Sequence, residues 1–182
     1  MTSLLRETGE TRIELTLDAS GDGTSRLEVP DRVLRHMLDT LARYAGWGLE
    51  LRATGDLRHH VIEDVALTLG AALMNEIPVA CVRYGSALLP MDDALVAVAL
   101  DVGGRPCYVG PLPSRLYDHF FRSLADSAGL TLHVEVRRGT DRHHIIEAAF
   151  KALGLCFREA LRPAGAVFST KGSVHLIRGE AS

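Results

Sequence analysis

The chain contains one internal repeat, which restricts its fold more than any other feature. Residues 58–70 read RHHVIEDVALTLG and residues 142–154 read RHHIIEAAFKALG. In a chain of this composition a His-His-x-x-Glu string is expected by chance roughly 0.02 times. Two such strings inside two aligned segments therefore indicate an internal duplication, with half-repeats of about 85 residues.

The match also extends upstream of both strings. Residues 36–46 (HMLDTLARYAG) align with residues 119–129 (HFFRSLADSAG), and each segment has apolar residues at helical spacing before a glycine that ends a helix. Strands are predicted where apolar and polar residues alternate, and further helices where long apolar segments follow the HH pairs. The order of elements predicted for each half is β-β-α-β-α.

We therefore predict an α+β fold of two duplicated β-β-α-β-α half-domains, with two sheets that each carry helices on one face. The first half-repeat is expected to span residues 1–87 and the second residues 88–182. No segment rich in Pro, Gly or Ser separates them. We expect the two halves to pack as one structural unit.

Composition excludes several classes of protein. Apolar residues make up 47%, which is enough for a packed core, while a net charge of −3 and 5% aromatic residues argue against nucleic-acid binding. No apolar run approaches the roughly 18 residues of a membrane span, and the first residues do not resemble a signal peptide. Three widely spaced cysteines fit reduced thiols. These features predict a cytoplasmic protein without nucleic-acid or membrane partners.

The duplicated HHxxE string predicts metal binding. At a helix start, His59 and Glu63 are four residues apart and His60 and Glu63 are three apart, so each histidine can share a face with the carboxylate. Adjacent histidines diverge by about 100° around a helix, so one HH pair suits two different ions. Imidazole and carboxylate ligands without a thiolate fit Mn, Fe, Ni, Co or Zn.

Several further motifs occur in a fixed order along the chain. They are HMLD at residues 36–39, RHHVIED at 58–64, PMDDAL at 90–95, GGRP at 103–106, TLHV at 131–134, RHHIIEAAFKA at 142–152 and STKG at 169–172. In this combination the chain resembles the imidazoleglycerol-phosphate dehydratase family of histidine biosynthesis, from about residue 6 to residue 172. The resemblance implies dehydration of D-erythro-imidazole glycerol phosphate to imidazole acetol phosphate. It also implies two Mn²⁺ ions per site, and a homo-oligomer of 24 subunits built from trimers with sites at subunit contacts.

The same resemblance implies roles for individual residues. One ion would be bound by His59, His133, His143 and Glu147, and the other by His36, His60, Glu63 and His144. The implied catalytic residues are Glu10, Glu63 and Glu147, with Glu10 as the acid–base group facing the substrate. The implied substrate-binding residues are Glu10, Arg83, Arg105, Ser169 and Lys171, the last four for the phosphate. His119 and His175 are expected at the surface or behind the ligands.

Three departures from the family pattern lie in the first half. The loop between GDL (residues 55–57) and the HH pair is shorter, so an acidic residue that would orient a ligand histidine is missing or is supplied elsewhere. Tyr44 stands where a histidine is usual, and Arg35 where an aspartate is usual. The alternative is therefore a metal-binding paralogue of the same fold that acts on another phosphorylated small molecule or is inactive.

Overall fold

The structure is a computed structural model, and it describes residues 1–166. The first half comprises β1 (Thr2–Glu7), β2 (Thr11–Asp18), β3 (Ser25–Glu28), α1 (Arg32–Ala45), β4 (Gly48–Gly55) and α2 (Arg58–Glu76). The second half comprises β5 (Tyr84–Met91), β6 (Ala94–Asp101), β7 (Cys107–Val109), α3 (Arg115–Ala128), β8 (Thr131–Arg138) and α4 (Arg142–Ala160).

The two halves have the same sheet topology. The first sheet has the order β1-β2-β4-β3 and the second the order β5-β6-β8-β7. In each sheet three strands are antiparallel neighbours and the last pair, β3–β4 or β7–β8, is parallel. The predicted α+β class and the duplication are confirmed.

Each half begins with one strand more than the sequence predicted. The additional strands, β1 and β5, lie at sheet edges. Edge strands are only partly buried, which weakens the alternation of apolar and polar residues by which a strand is recognised. The boundary expected after residue 87 lies inside β5, which pairs with β6 along its whole length.

The glycines shared by the two halves have the same structural roles in each. Gly46 and Gly129 follow α1 and α3 in the left-handed conformation, with φ of 78° and 67°. Such a residue ends a helix at little cost only when it has no side chain. Gly70 and Gly154 lie instead where helices touch, because a Cβ at either position would come within 2.7 Å of a side chain on the neighbouring helix.

The helices lie between the two sheets. α2 packs on β1, β2 and β4, and α4 packs on β5 and β6. The two helix layers meet where α1 contacts α4 and α2 contacts α3. The buried core runs continuously through both halves, with Trp47 of the first half packed against Phe157 of the second at 4.9 Å between ring centroids and with the rings tilted by 44°. Among residues 1–166, none of the helices has the length and apolar character needed to cross a membrane.

Candidate functional site

The four helices of residues 1–166 start at one end of the molecule, and most of the histidines in that part of the chain lie there. Asp31, the N-cap of α1, forms an ion pair with Arg58, the first residue of α2. His36 in α1 reaches Glu147 near the start of α4, and His119 in α3 reaches Glu63 near the start of α2. The partly positive helix N-termini therefore face the same region as these imidazoles and carboxylates.

The first cluster consists of His36, His143 and Glu147. Both imidazole Nε2 atoms lie 3.2 Å from Glu147 Oε2, and the two rings are stacked with centroids 5.8 Å apart. One ligand atom from each residue falls within 4.8 Å of the others, which is the spacing that a shared metal ion requires. Two imidazole nitrogens and a carboxylate oxygen form a donor set suited to Mn, Fe, Co, Ni or Zn.

Glu147 is held by contacts on both carboxylate oxygens. Only 7% of the residue is exposed, and Lys151 Nζ lies 3.0 Å from Oε1, the oxygen that does not face the histidines. Burial alone would raise the pKa of Glu147, but the hydrogen bonds from Lys151 and His36 outweigh it and the pKa is lowered. The carboxylate is therefore ionised at neutral pH, as a metal ligand must be.

The second cluster lies at the start of α2. Glu10, His60 and Glu63 line one pocket of about 470 Å³ between the β1–β2 turn and the helix. Glu10 Oε2 is 3.5 Å from His60 Nδ1, and His119 Nε2 is 3.7 Å from Glu63 Oε1. Since His119 aligns with His36 and Glu63 with Glu147, the His119–Glu63 contact is the looser internal counterpart of the His36–Glu147 contact.

In both HH pairs the second histidine is bound to an aspartate through Nδ1. The Nδ1 atom of His60 is 2.8 Å from Asp56 Oδ1, and that of His144 is 2.7 Å from Asp93 Oδ1. These hydrogen bonds raise the pKa of both imidazoles. In His60 this leaves Nε2 as the nitrogen that can bind an ion, whereas Nε2 of His144 also lies 3.3 Å from Asp92 Oδ2. Asp56 thus places a carboxylate beside His60 despite the shortened loop.

Not every predicted residue lies in these clusters. Within one chain His36 lies with His143 and Glu147, although the resemblance implied that it would share an ion with His60, Glu63 and His144. The ring of His59 contacts that of His60, with centroids 4.1 Å apart. His133 lies on the outer face of the second sheet, because its neighbours on β8, Leu132 and Val134, point inward to the core.

The cations predicted to bind phosphate lie elsewhere or outside the described residues. Arg83 forms a bidentate ion pair with Asp101, and its backbone N–H donates to the carbonyl of Ala160 at the end of α4. That position is about 20 Å along the helix from Glu147. The carbonyl of Arg105 accepts from Thr131 at the same distant end. Ser169, Lys171 and His175 lie outside the described residues.

Three residues of the site were not singled out from the sequence. Lys151 follows Glu147 by four residues, a spacing that would have identified it as an ion-pair partner. Asp56 precedes His60 by the same spacing. Asp93 could not have been found in this way, since it reaches His144 from the β5–β6 turn. His119, which was expected at the surface or behind the ligands, is half exposed and contacts Glu63.

The fold and the site define a duplicated α+β protein with paired histidine–carboxylate clusters at its helix starts. Residues 30–157 match the family model described as imidazoleglycerol-phosphate dehydratase. Relatives of that name include one from Xanthobacter autotrophicus, 43% identical with coverage of 94% of this chain and 96% of the relative. Another, from Pyrobaculum aerophilum, is 44% identical with coverage of 92% and 97%.

Two solved structures are also similar. The crystal structure of IGPD from Pyrococcus furiosus in complex with (S)-C348 superimposes with a TM-score of 0.84 at 37% identity, covering 94% of this chain and 100% of that chain. Imidazoleglycerol-phosphate dehydratase from Staphylococcus aureus gives a TM-score of 0.78 at 30% identity, covering 90% and 100%. The chain belongs to the imidazoleglycerol-phosphate dehydratase family. It is a hydro-lyase of the dehydration step in histidine biosynthesis.

Proposed function

We propose that the protein dehydrates D-erythro-imidazole glycerol phosphate to imidazole acetol phosphate, and that it needs two divalent metal ions per site, with Mn²⁺ as the working ion. The observation that carries this proposal is the convergence of His36, His143 and Glu147, whose donor set fits such an ion. The second cluster, with His60, Glu63 and Glu10, provides a further imidazole and two carboxylates. His59, His133 and His144 would complete the two ligand sets.

The residues at the helix starts can perform the remaining chemistry. When bound, the divalent cations would stabilise the substrate's imidazole ring as an anion. Loss of water also requires that a proton leave carbon and that the departing hydroxyl receive one. Glu10 is suited to this transfer, because its side chain is 58% exposed in the pocket that it shares with His60 and Glu63.

We propose that the complete site forms only between copies of this chain, in a shell of 24 subunits built from trimers. Two positions support an assembly. His133 lies on the outer face of the second sheet, and Arg83 lies at the end of the chain's fold away from the clusters. Neither can reach its own chain's histidine clusters, so both would serve a neighbouring copy.

The character of the second sheet's outer face supports the same proposal. A groove of about 900 Å³ crosses it, lined by Leu88 and Val109 beside His133, with Glu135 and Arg137 also in the lining. Leu88 is 61% exposed and Val109 is 43% exposed. Exposed apolar surface of this kind marks protein interfaces, and a second copy is the partner that would also use His133.

The assembly can be tested with two matched substitutions. Leu88→Glu places a charge on the outer face of the second sheet, and Leu5→Glu places one on the outer face of the first, at a leucine that is 57% exposed. We expect Leu88→Glu to reduce the mass measured by light scattering and Leu5→Glu to leave it unchanged. Unchanged mass in Leu88→Glu would exclude this face as the interface.

The activity can be tested directly. The purified protein is stripped with a chelator, reloaded with Mn²⁺ and given imidazole glycerol phosphate, while formation of imidazole acetol phosphate is followed. We expect turnover only in the reloaded sample. Equal turnover in the stripped sample would contradict the metal requirement.

The same assay distinguishes the proposed dehydratase from the alternative. The alternative is a metal-binding paralogue that acts on another phosphorylated substrate or has no activity. One contact favours this alternative. The ring of Tyr44, which replaces the usual histidine, lies 5.8 Å from Lys151 Nζ beside the first cluster. Absence of turnover in protein that retains its metal would support the paralogue, and Tyr44→His is then the variant to assay.

We also propose a cytoplasmic location. Cys81, Cys107 and Cys156 are unpaired, and unpaired thiols are usual in a reducing compartment.

A further inference from the structure

The shortened loop before α2 places an aspartate against the first HH pair. Asp56 is the second residue before α2, and its Oδ1 accepts hydrogen bonds from the Leu57 N–H at 2.6 Å and from His60 Nδ1 at 2.8 Å. α2 has no side-chain cap at its N-cap residue, Leu57. The Asp56 carboxylate is therefore held by the backbone at the helix start while it binds the imidazole.

The second half has a related arrangement in which a different segment supplies the carboxylate, and there Asp92 Oδ2 also lies 3.3 Å from His144 Nε2. Asp93, in the β5–β6 turn, binds His144 Nδ1 through Oδ1 at 2.7 Å. Its Oδ2 accepts from the N–H groups of Thr140 and Asp141 at 2.6 and 3.2 Å. Two unrelated backbone segments thus present a carboxylate to the same atom of equivalent histidines, which indicates a shared requirement.

That requirement follows from imidazole chemistry. A neutral imidazole that donates from Nδ1 to a carboxylate has its lone pair on Nε2, and the hydrogen bond also fixes the ring's orientation. Glu10 Oε2 is the other carboxylate oxygen near His60 Nδ1, at 3.5 Å. Asp56 is closer and forms the hydrogen bond, so it determines that Nε2 is the nitrogen of His60 available to an ion. Glu10 then remains available for the proposed proton transfer.

We propose that Asp56 is a positioning residue that holds His60 with Nε2 towards a divalent cation. It would replace the acidic residues missing from the shortened loop. The inference rests on the proposed metal dependence, but it makes no claim about the substrate.

The test compares Asp56→Asn, Asp93→Asn and a control, Asp22→Asn. Asp22 also accepts hydrogen bonds at a turn, from the N–H and hydroxyl of Thr24, but far from the histidines. An amide can donate or accept, so it no longer fixes the imidazole tautomer. Affinity for Mn²⁺ and Co²⁺ is measured by titration calorimetry, and the visible spectrum of the Co²⁺ protein reports the ligand geometry.

We expect Asp56→Asn to weaken binding of one ion by about 10–100-fold and to change the Co²⁺ spectrum. Asp93→Asn should have a similar effect, Asp22→Asn should have none, and Asp56→Glu should recover part of the affinity. Wild-type affinity and spectrum in Asp56→Asn would overturn the proposal. Because these readouts need no substrate, they remain decisive even if imidazole glycerol phosphate is not turned over.

Discussion

A single methyl group at Gly154 tests whether the contact between α1 and α4 fixes the first cluster. A Cβ at this position would lie 2.7 Å from Tyr44 Cβ and 3.0 Å from both the Ala45 nitrogen and the Leu41 oxygen. Two of these three atoms belong to the backbone of α1 and the third is a Cβ, whose position the backbone fixes, so none can move by a change of rotamer. Gly154→Ala must therefore push the two helices apart.

The expected loss of stability is the difference of two effects. Overpacking of a tight core site costs about 1–3 kcal/mol, and contacts with backbone atoms favour the upper part of that range. Alanine is better than glycine inside a helix by about 0.8–1.0 kcal/mol. The free energy of unfolding should fall by about 1–2 kcal/mol, which lowers Tm by about 2–8 °C for a chain of this size.

The substitution should also affect ion binding. His36 and Glu147 lie about 10–12 Å from the new methyl group along their helices, so a displaced α1 would separate His36 Nε2 from Glu147 Oε2. We expect lower Mn²⁺ affinity in Gly154→Ala.

Urea unfolding should be measured at one protein concentration in the presence of chelator, because bound ions and association both add stability. Gly165→Ala is the control, since a Cβ there meets nothing within 4 Å. Gly70→Ala should repeat the loss of stability at the α2–α3 contact, where Ser127 Cβ would lie 2.7 Å away. If Gly154→Ala is as stable as the wild type, the gain in helix propensity outweighs the cost of overpacking. The contact between α1 and α4 is then not tight enough to exclude a methyl group.

Three further outcomes are expected. Glu147→Gln should reduce the bound Mn²⁺ measured by elemental analysis, whereas Glu159→Gln, an exposed residue of the same helix, should not. Lys171→Ala should raise KM for imidazole glycerol phosphate without changing metal content, and an unchanged KM would remove this lysine from the phosphate site. Burial alone would raise the pKa of Asp101, but the ion pair with Arg83 lowers it overall, so this group adds stability above about pH 4 that is lost as the pH falls. In Asp101→Asn, the free energy of unfolding should depend less on pH in acid, as urea titrations at several pH values would measure.

Local sequence signals were sufficient for the helices of this fold. The segment from Asp31 to Gly46 contains an N-cap, apolar residues at helical spacing and a C-terminal glycine, and α1 occupies the residues between them. The edge strands β1 and β5 were missed because their two faces differ little in polarity: Thr2 and Arg6 lie on the more buried face of β1, and Leu88 lies on the exposed face of β5. The repeat itself predicted that two sheets of one topology would form.

The site was predicted as a set of residues but not as a set of neighbours. Spacing along a helix places Glu147 on the same face as His143, and those two are in contact. It does not determine which other helix supplies a third ligand. His36 meets α4 because Gly154 lets α1 approach it, a tertiary contact that helical spacing alone does not encode.

The faces of the two sheets that point away from the helices share some features and differ in others. The first sheet's outer face carries pairs of opposite charge on adjacent strands, such as Arg52 with Glu28 and Arg26 with Glu50. The second carries Leu88 and His133 beside an ion pair of Glu135 with Arg137. Each outer face also has an exposed leucine, Leu5 on the first sheet and Leu88 on the second, and such side chains gain free energy when they are covered. His133 sets the second face apart, because in the proposed assembly it would lie beside the histidine clusters of a neighbouring copy.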